Sequence, residues 1–406
     1  MPVEATRFVT WCAACDWNVD PGEPDPEPGR MEALRRRLAQ RYGERLFAEV
    51  DLRPQRDASS ILAHALAVLV HGVTVALAVV GVLLVVLGWG EGAVPVVGAL
   101  LFAVAIALRP RFTGLPDDAP VLRRADAPRL FGLIDEIAAL AGTSGVDAVV
   151  LIADANAAVT TYGIRHRRVL FIGLGFWEIL TPQQRVALLG HELGHFAHGD
   201  TRHGAVTGHA LRSLTLWLYF LTPDSESSLM ERLTNWLLAV PRWAVHGLLR
   251  LLDRLTLRAS QRAEYLADET AARAASTEAA VALMDHMLVV DAVGSALHRE
   301  SVVAQSRGGG MAARREAEQG LWERLAARIH SVPEREYERL RRVSVLRGRS
   351  VDATHPPTHL RRRRLSEGEQ RQAAIRCDEE RAAAIAAELA AARARVAHTV
   401  IRDAAG

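Results

Sequence analysis

The string His191-Glu-Leu-Gly-His195 carries the residue types of a metal-dependent hydrolase. Two histidines four positions apart share one face of a helix, where both imidazoles can bind a single Zn²⁺. On such a helix Glu192 projects about 100° away from His191. It can therefore face a metal-bound water and act as a general base instead of ligating the metal. The string also occurs by chance, so its interpretation depends on whether it lies on a helix.

The residues before the string predict the helix that it requires. Thr181 has the side chain of an N-cap, the proline that follows suits the first helical position, and Gln184 can complete a capping box. The predicted helix begins there and runs past His195, so both histidines lie in its interior.

A zinc site of this type needs a third protein ligand. His198 lies two turns from His191, too far to join it at one metal on an unbroken helix. Downstream, Glu264 and Asp268 are again four apart on one helical face. Glu264 as the ligand, with Asp268 supporting the site from behind, is the interpretation that the chemistry favours. Taken alone, this pair has the pattern of an ordinary charged helix face.

Four motifs in order resemble the membrane gluzincins, the zinc metallopeptidases that include HtpX and the CAAX prenyl endoprotease. They are an Asn-Ala segment at Asn156, the H-E-L-G-H string, the E-x-x-A-D string from Glu264, and Thr354-His-Pro-Pro-Thr-His-Leu-Arg. The resemblance extends from about Asp126 to Leu365. It departs from the family at Asn156, where relatives commonly have Asn-Ala-Phe-Ala and this chain has Asn-Ala-Ala-Val.

The resemblance implies one zinc ion per chain, with the site residues assigned one by one. The implied assignments are His191, His195 and Glu264 as zinc ligands, Glu192 as catalytic base, Asp268 paired with Arg361 behind the ligands, His355 near the metal, and Asn156 at the substrate strand. For His355 two roles stay open, an oxyanion donor and a gating fourth ligand.

Two apolar runs precede the motifs. Ile61–Leu87 holds 27 residues without a formal charge, enough to span a bilayer core of about 30 Å. Ala93–Leu108 is shorter, so a short span and a re-entrant helix are both open. We expect a transmembrane helical hairpin, although a buried core helix pair has the same pattern. Arginines flank both runs and are absent from the tip, which places both flanks in the cytoplasm.

Later apolar stretches within 205–257 have a different pattern. Leu211–Thr222 is mostly apolar, and Leu233–Leu257 carries arginine, histidine and aspartate at helical spacing among leucines and tryptophans. Three interpretations stay open: an interfacial helix, a span whose polar face lines a cavity, and an amphipathic core helix.

Other segments give weaker predictions. Asp126 is predicted to cap a helix that ends near 141, and β-branched runs at 146–153 and 168–173 predict two short strands. The Ala/Glu/Arg-rich stretch 367–400 predicts a C-terminal helix. Cys12-Ala-Ala-Cys15 has half the spacing of a zinc ribbon, which leaves a degenerate knuckle or a zinc shared between chains as alternatives to an ordinary turn.

Composition excludes several classes of protein. The net charge of +2 argues against nucleic acid as a partner, and three cysteines cannot form a disulfide framework. All 49 basic residues are arginine, which is typical of GC-rich bacterial genes.

We therefore expect an α+β protein, mainly α-helical, with a zincin-like metallopeptidase domain, a small β-sheet and transmembrane helices. The predicted divisions are a cytosolic N-terminal segment with a Pro-rich linker (1–57), the hairpin (58–110), the metallopeptidase domain (111–365, including the apolar stretches at 205–257) and a C-terminal helix (366–406).

The expected function is a zinc endopeptidase in the bacterial inner membrane, multi-pass, with its catalytic domain facing the cytoplasm. Its partners would be the lipid bilayer and polypeptide substrates, mainly membrane proteins, and the resemblance to HtpX implies membrane-protein quality control. The alternative is a non-catalytic membrane scaffold on a peptidase-like fold, against which the intact His191, Glu192, His195 and Glu264 argue.

Overall fold

A computed structural model describes residues 8–22, 44, 47, 58–109, 114–163, 165–198, 203–222, 229–306, 311–347 and 355–403. Most of the predicted N-terminal segment, including its Pro-rich linker from residue 23 onward, lies outside these residues, as does Thr354 of the fourth motif.

The protein is mostly helical with one small mixed sheet, as the expected α+β class requires. The strands are β1 (Val121–Leu122), β2 (Ala148–Ile152), β3 (Ala157–Tyr162) and β4 (Arg167–Gly173). The helices of the described residues are α1 (Ala58–Leu87), α2 (Val94–Leu108), α3 (Pro128–Ala141), α4 (Leu174–Trp177), α5 (Pro182–His198), α6 (His203–Leu221), α7 (Leu229–Ala275), α8 (Thr277–Met287), α9 (Val290–Ser306), α10 (Met311–Gln319), α11 (Leu321–His330), α12 (Glu334–Arg347), α13 (Thr358–Glu367) and α14 (Glu379–Asp403).

Contacts divide the chain into two compact units that alternate along the sequence. One comprises residues 1–52, 113–198 and 261–406, and the other comprises 53–112 and 199–260. We call them the sheet unit and the apolar unit, because the first contains all four strands and the second contains α1 and α2.

The sheet has the order β1-β2-β4-β3, so β3 is an edge strand. β2 and β4 are parallel, and β3 runs antiparallel to β4 with Ala157 opposite Ile172. The two predicted strands are confirmed as β2 and β4. The segment between them, Ala157–Tyr162, was not predicted to be a strand. It is half-buried, and its alternating residues Ala157 and Val159 pack against the core of the sheet unit.

Helix α5 begins as its capping residues predict. The N–H of Thr181 donates to Gln184 Oε1 at 2.9 Å, and the N–H of Gln184 donates to Thr181 Oγ1 at 3.3 Å. The helix packs against α3, α8 and β3, with Val186 and Leu193 fully buried. The predicted metal-binding string therefore lies on a helix that is packed into the core of the sheet unit.

The predicted cap of helix α3 was wrong. Asp126 accepts a hydrogen bond from the N–H of Arg123 and caps the preceding turn. The first N–H groups of α3, at Arg129 and Leu130, donate instead to the carboxylate of Glu388 on α14, at 2.8–3.1 Å. A carboxylate satisfies these donors and also interacts favourably with the positive end of the helix dipole.

The predicted C-terminal helix begins later than expected. Helix α13 ends at Glu367, the next residues are irregular, and α14 begins only at Glu379. One face of α14 is buried in the core of the sheet unit, through Ile385, Leu389, Val396 and Ile401. This segment is thus an integral part of the unit.

In the apolar unit, α1 and α2 pack closely as a helical pair. A Cβ added at Gly81 would lie 2.7 Å from the backbone nitrogen of Phe102, and one added at Gly98 would lie 2.7 Å from the carbonyl oxygen of Gly81. Small residues at such contacts are typical of packed membrane helices. Of the described residues, α1 alone forms a continuous helix that is long and apolar enough to cross a membrane, because the 15 residues of α2 span only about 22 Å.

The part of α7 in the apolar unit has two different faces. Val245 and Leu252 are buried against α1 and α6. Three large side chains at helical spacing on the other side are exposed: Trp236 (74%), Val240 (76%) and Trp243 (73%). This stretch therefore has one buried face and one exposed face.

Candidate metal centre

Helix α5 brings the two histidines of the predicted motif together. The Nε2 atoms of His191 and His195 are 3.2 Å apart, and their rings are nearly perpendicular at 85°. His191 is buried and His195 is half-buried. His198 is the last residue of α5 and does not belong to the group of residues that could hold a metal, as its spacing predicts.

Helix α7 supplies Glu264. This side chain reaches the two histidines because glycines on α5 let α5 and α7 approach closely. A Cβ at Gly194 would lie 2.8 Å from Ala267 Cα, and one at Gly190 would lie 3.0 Å from Ala271 Cα. Both distances are shorter than the 3.5–4.0 Å or so of an ordinary carbon contact. This contact was not predicted from the sequence, although both helices carry small residues four positions apart, Gly190 and Gly194 on α5 and Ala267 and Ala271 on α7.

Three potential ligand atoms converge at this contact. Glu264 Oε2 lies 3.6 Å from His191 Nε2, and Glu264 Oε1 lies 3.6 Å from His195 Nε2. Ligands about 2.1 Å from a tetrahedral Zn²⁺ are separated by roughly 3.4 Å, which agrees with these distances. The buried Glu264 Oε2 accepts no hydrogen bond among the described residues, although Arg361 Nη1 lies 3.4 Å from it. The donor set of two imidazoles and one carboxylate therefore fits a zinc ion.

Asp268 and Arg361 support the cluster from behind, as the resemblance implies. Arg361 donates through Nη2 and Nε to the two oxygens of Asp268, at 2.6 and 2.9 Å. Asp268 Oδ1 lies 3.0 Å from His191 Nδ1, which leaves Nε2 of that ring to face Glu264. Arg361 is only 1% exposed. Burial alone would raise the pKa of Asp268, but the charge and hydrogen bonds of Arg361 more than offset it and hold that pKa well below its usual range.

His355 reaches the cluster from the segment before α13. Its Nδ1 lies 2.7 Å from Glu264 Oε1. Burial would raise the pKa of Glu264, but this contact, together with the charges of His191 and Arg361, lowers it to about 2. Glu264 is therefore ionised at neutral pH, which is the form that ligates a metal.

Burial also sets the protonation of the other groups. It acts with the neighbouring His191 to lower the pKa of His195 to about 3, so that imidazole is neutral and able to ligate. Glu192 is buried, and burial raises its pKa above the usual range. A carboxyl group with a raised pKa is suited to accept a proton and then deliver it.

Asn156 lies outside this buried cluster. It is exposed at the start of the edge strand β3, where its side-chain oxygen accepts a hydrogen bond from the N–H of Ala157 at 2.9 Å. Its carbonyl oxygen accepts from the N–H of Gly173, which joins it to β4. Strand β3 contacts α5, the helix that carries the two histidines.

A family model described as peptidase family M48 matches residues 125–369, more than half of the chain. The chain belongs to this family. The match covers all the site residues discussed above, from Asn156 to Arg361, and confirms the resemblance to the HtpX and CAAX protease type of metallopeptidase. No curated protein and no solved structure matches the chain.

Family membership supports a metallopeptidase function for the chain. The geometry adds that five residues from three separate segments of the sequence form one connected cluster: His191, His195, Glu264, Asp268 and Arg361. Helix α14 lies outside the family match, although it forms part of the core of the sheet unit.

Proposed function

We propose that this M48 peptidase is a membrane-bound, zinc-dependent endopeptidase whose catalytic centre is the cluster at His191, His195 and Glu264. The convergence of these three side chains carries the proposal, because all their ligand atoms lie within 4.8 Å of one another. A zinc ion held there would act as a Lewis acid on the scissile carbonyl and acidify the attacking water.

In this proposal Glu192 is the general base. It follows a ligand directly in the sequence but points to a different side of α5, so it can reach the attacking water without ligating the metal. Its buried carboxyl group, with its raised pKa, accepts the proton of the water and passes it to the leaving amine.

Asp268 and Arg361 act as positioning residues. The bidentate pair holds a carboxylate oxygen against His191 Nδ1, which orients the imidazole and fixes the tautomer whose Nε2 can ligate. His355, 2.7 Å from a ligand carboxylate, is close enough to stabilise the negative charge that develops on the substrate carbonyl oxygen.

Substrate recognition is assigned to the edge of β3. In the described structure this strand pairs only with β4, so its other edge can receive an extended polypeptide by strand addition. Hydrogen bonds to the substrate backbone require no particular side chain and can form with a segment inside a long polypeptide. This mode of binding suits an endopeptidase, which cleaves internal peptide bonds. Asn156, at the start of this strand, would contact the bound segment.

The membrane assignment rests on the apolar unit. Helix α1 has a mean hydropathy of 2.7 in its most apolar window and exposes most of its large side chains, among them Ile61 (64%) and Val86 (64%). The exposed tryptophans of α7 are the residue type that prefers the membrane interface. We propose membrane proteins as substrates, because their unfolded segments would reach a peptidase that is anchored in the same membrane. In this proposal the catalytic domain lies in the cytoplasm, and the protein acts in membrane-protein quality control.

The decisive experiment compares the wild-type chain with the Glu192→Gln variant in detergent. Glutamine keeps the shape and hydrogen bonding of the side chain but cannot take the proton. We expect both proteins to contain zinc and only the wild type to cleave an unfolded polypeptide, with a loss of about 10²–10⁴-fold in the variant.

Glu269→Gln provides the matched control, because it makes the same change on α7 at a residue outside the metal cluster. It should cleave like the wild type. Zinc binding without cleavage in the wild type would favour the scaffold alternative, and full activity in Glu192→Gln would refute the assignment of the base.

A further inference from the structure

Cys12 and Cys15 lie in a surface turn that the proposed peptidase chemistry does not use. The N–H of Cys12 donates to the carbonyl of Trp17 at 3.0 Å, and the chain turns through a positive φ of 54° at Asp16. The backbone of Ala14 and of Cys15, and the Cys15 side chain, lie within hydrogen-bonding reach of the Cys12 thiol. The turn thus presents two neighbouring thiols.

Helix α12 holds this turn in place. Trp11, next to Cys12, is 1% exposed. Arg335 donates to the carbonyl of Trp11 at 2.7 Å, and the guanidinium of Arg342 lies over the indole ring. Arg339 donates to the carbonyl of Val19 at 2.7 Å on the far side of the turn. The two cysteines are therefore presented on an anchored segment.

A C-x₂-C turn supplies two thiolate ligands, and structural zinc sites almost always use four. The remaining cysteine, Cys377, is buried beside Gln183. The nearby carboxylate of Asp16 is paired with Arg342 at 2.6 Å. In the described part of the chain, only the cluster at His191 groups three or more metal-ligating side chains, and the undescribed residues contain no cysteine or histidine. With Cys377 elsewhere, Cys12 and Cys15 thus supply two of the four thiolates of a tetrathiolate zinc site.

We propose that Cys12 and Cys15 form one half of a tetrathiolate zinc site that a second copy of this chain completes. The second copy is the matching partner because it brings the missing pair of thiols on the same anchored turn. Cys15 is exposed, and its neighbour Trp17 is 60% exposed, so another copy can approach this surface. Binding converts four thiols to thiolates and releases up to four protons to solvent for each shared ion.

The test uses the full-length chain in detergent under reducing conditions, with zinc or cobalt as the only added metal. We expect about 1.5 zinc ions per chain, one at the histidine site and one shared between two chains, and a dimer by light scattering. Cobalt should give a sulfur-to-cobalt charge-transfer band, which a site of two histidines and one glutamate cannot produce. The double variant Cys12→Ser/Cys15→Ser should lose the band, the half ion and the dimer.

Cys377→Ser is the matched control, because it removes a thiol outside the turn and should keep all three signals. The zinc that remains at the histidine site reports that the double variant is folded. A wild-type chain with one zinc ion and no sulfur–cobalt band overturns the proposal. A sulfur–cobalt band with two metal ions per monomeric chain would also overturn it, because one chain would then complete the site. A Cys12–Cys15 disulfide under these reducing conditions would overturn it as well and would indicate a redox pair.

Discussion

Replacing Gly194 with alanine tests whether the close contact of α5 and α7 creates the metal centre. An alanine normally stabilises a helix interior relative to glycine, by roughly 0.5–1 kcal/mol. Here the added methyl carbon would lie 2.8 Å from Ala267 Cα, 3.2 Å from Ala267 Cβ and 3.3 Å from Thr270 Cβ. The first of these neighbours is backbone, which cannot rotate away.

The size of the effect follows from these distances. An ordinary carbon contact of about 3.5–4.0 Å would require α5 and α7 to separate by roughly 0.7–1.2 Å. Glu264 lies one turn before Ala267 and moves with it, whereas zinc ligand distances tolerate only about 0.2 Å. We expect Gly194→Ala to lower the free energy of unfolding by about 1–3 kcal/mol and zinc affinity by about 10–100-fold.

Zinc affinity is measured by competition with a chromophoric chelator, and stability by thermal unfolding of the zinc-free protein. Gly190→Ala should have a smaller effect, because its nearest contact is 3.0 Å. Gly132→Ala is the control: this glycine also lies inside a helix, α3, but its added Cβ would meet nothing within 4 Å, so the variant should be slightly more stable. If Gly194→Ala bound zinc like the wild type and gained stability like Gly132→Ala, the proposed role of the contact would be wrong.

Three other predictions concern the same unit. Arg361→Lys keeps the charge but loses the bidentate contact with Asp268, so zinc affinity measured with the chelator should fall by about 10–100-fold; unchanged affinity would contradict the positioning role. Glu388→Ala removes the cap of α3 and should lower the free energy of unfolding by about 1 kcal/mol in urea titrations, whereas an unchanged midpoint would mean that solvent replaces the cap. The zinc-free protein should lose stability as the pH falls from 6.5 toward 3, because His195 has a pKa of about 3 when folded and 6.5 when unfolded, so the unfolded chain takes up the proton first. A His195→Asn variant whose urea midpoint falls with pH as steeply as that of the wild type would argue against this burial.

Several parts of the site were predictable because short-range physics determines them. The capping box at Thr181 and Gln184 joins residues three apart, and it forms as predicted. The four-residue spacings of His191 with His195 and of Glu264 with Asp268 place each pair on one helical face. For these residues, the chain neighbours that determine the geometry lie within one turn of the helix.

Other features depended on residues that are distant in the sequence. The cap of α3 comes from Glu388, which is 259 positions from Arg129, and strand β3 forms because β4 offers it an edge. The distance between α5 and α7 depends on which side chains face each other across their contact, Gly194 against Ala267 and Gly190 against Ala271. A sequence pattern records which residues share a face of one helix. The separation of two helices is decided only when both faces meet, because the atoms that limit it belong to both.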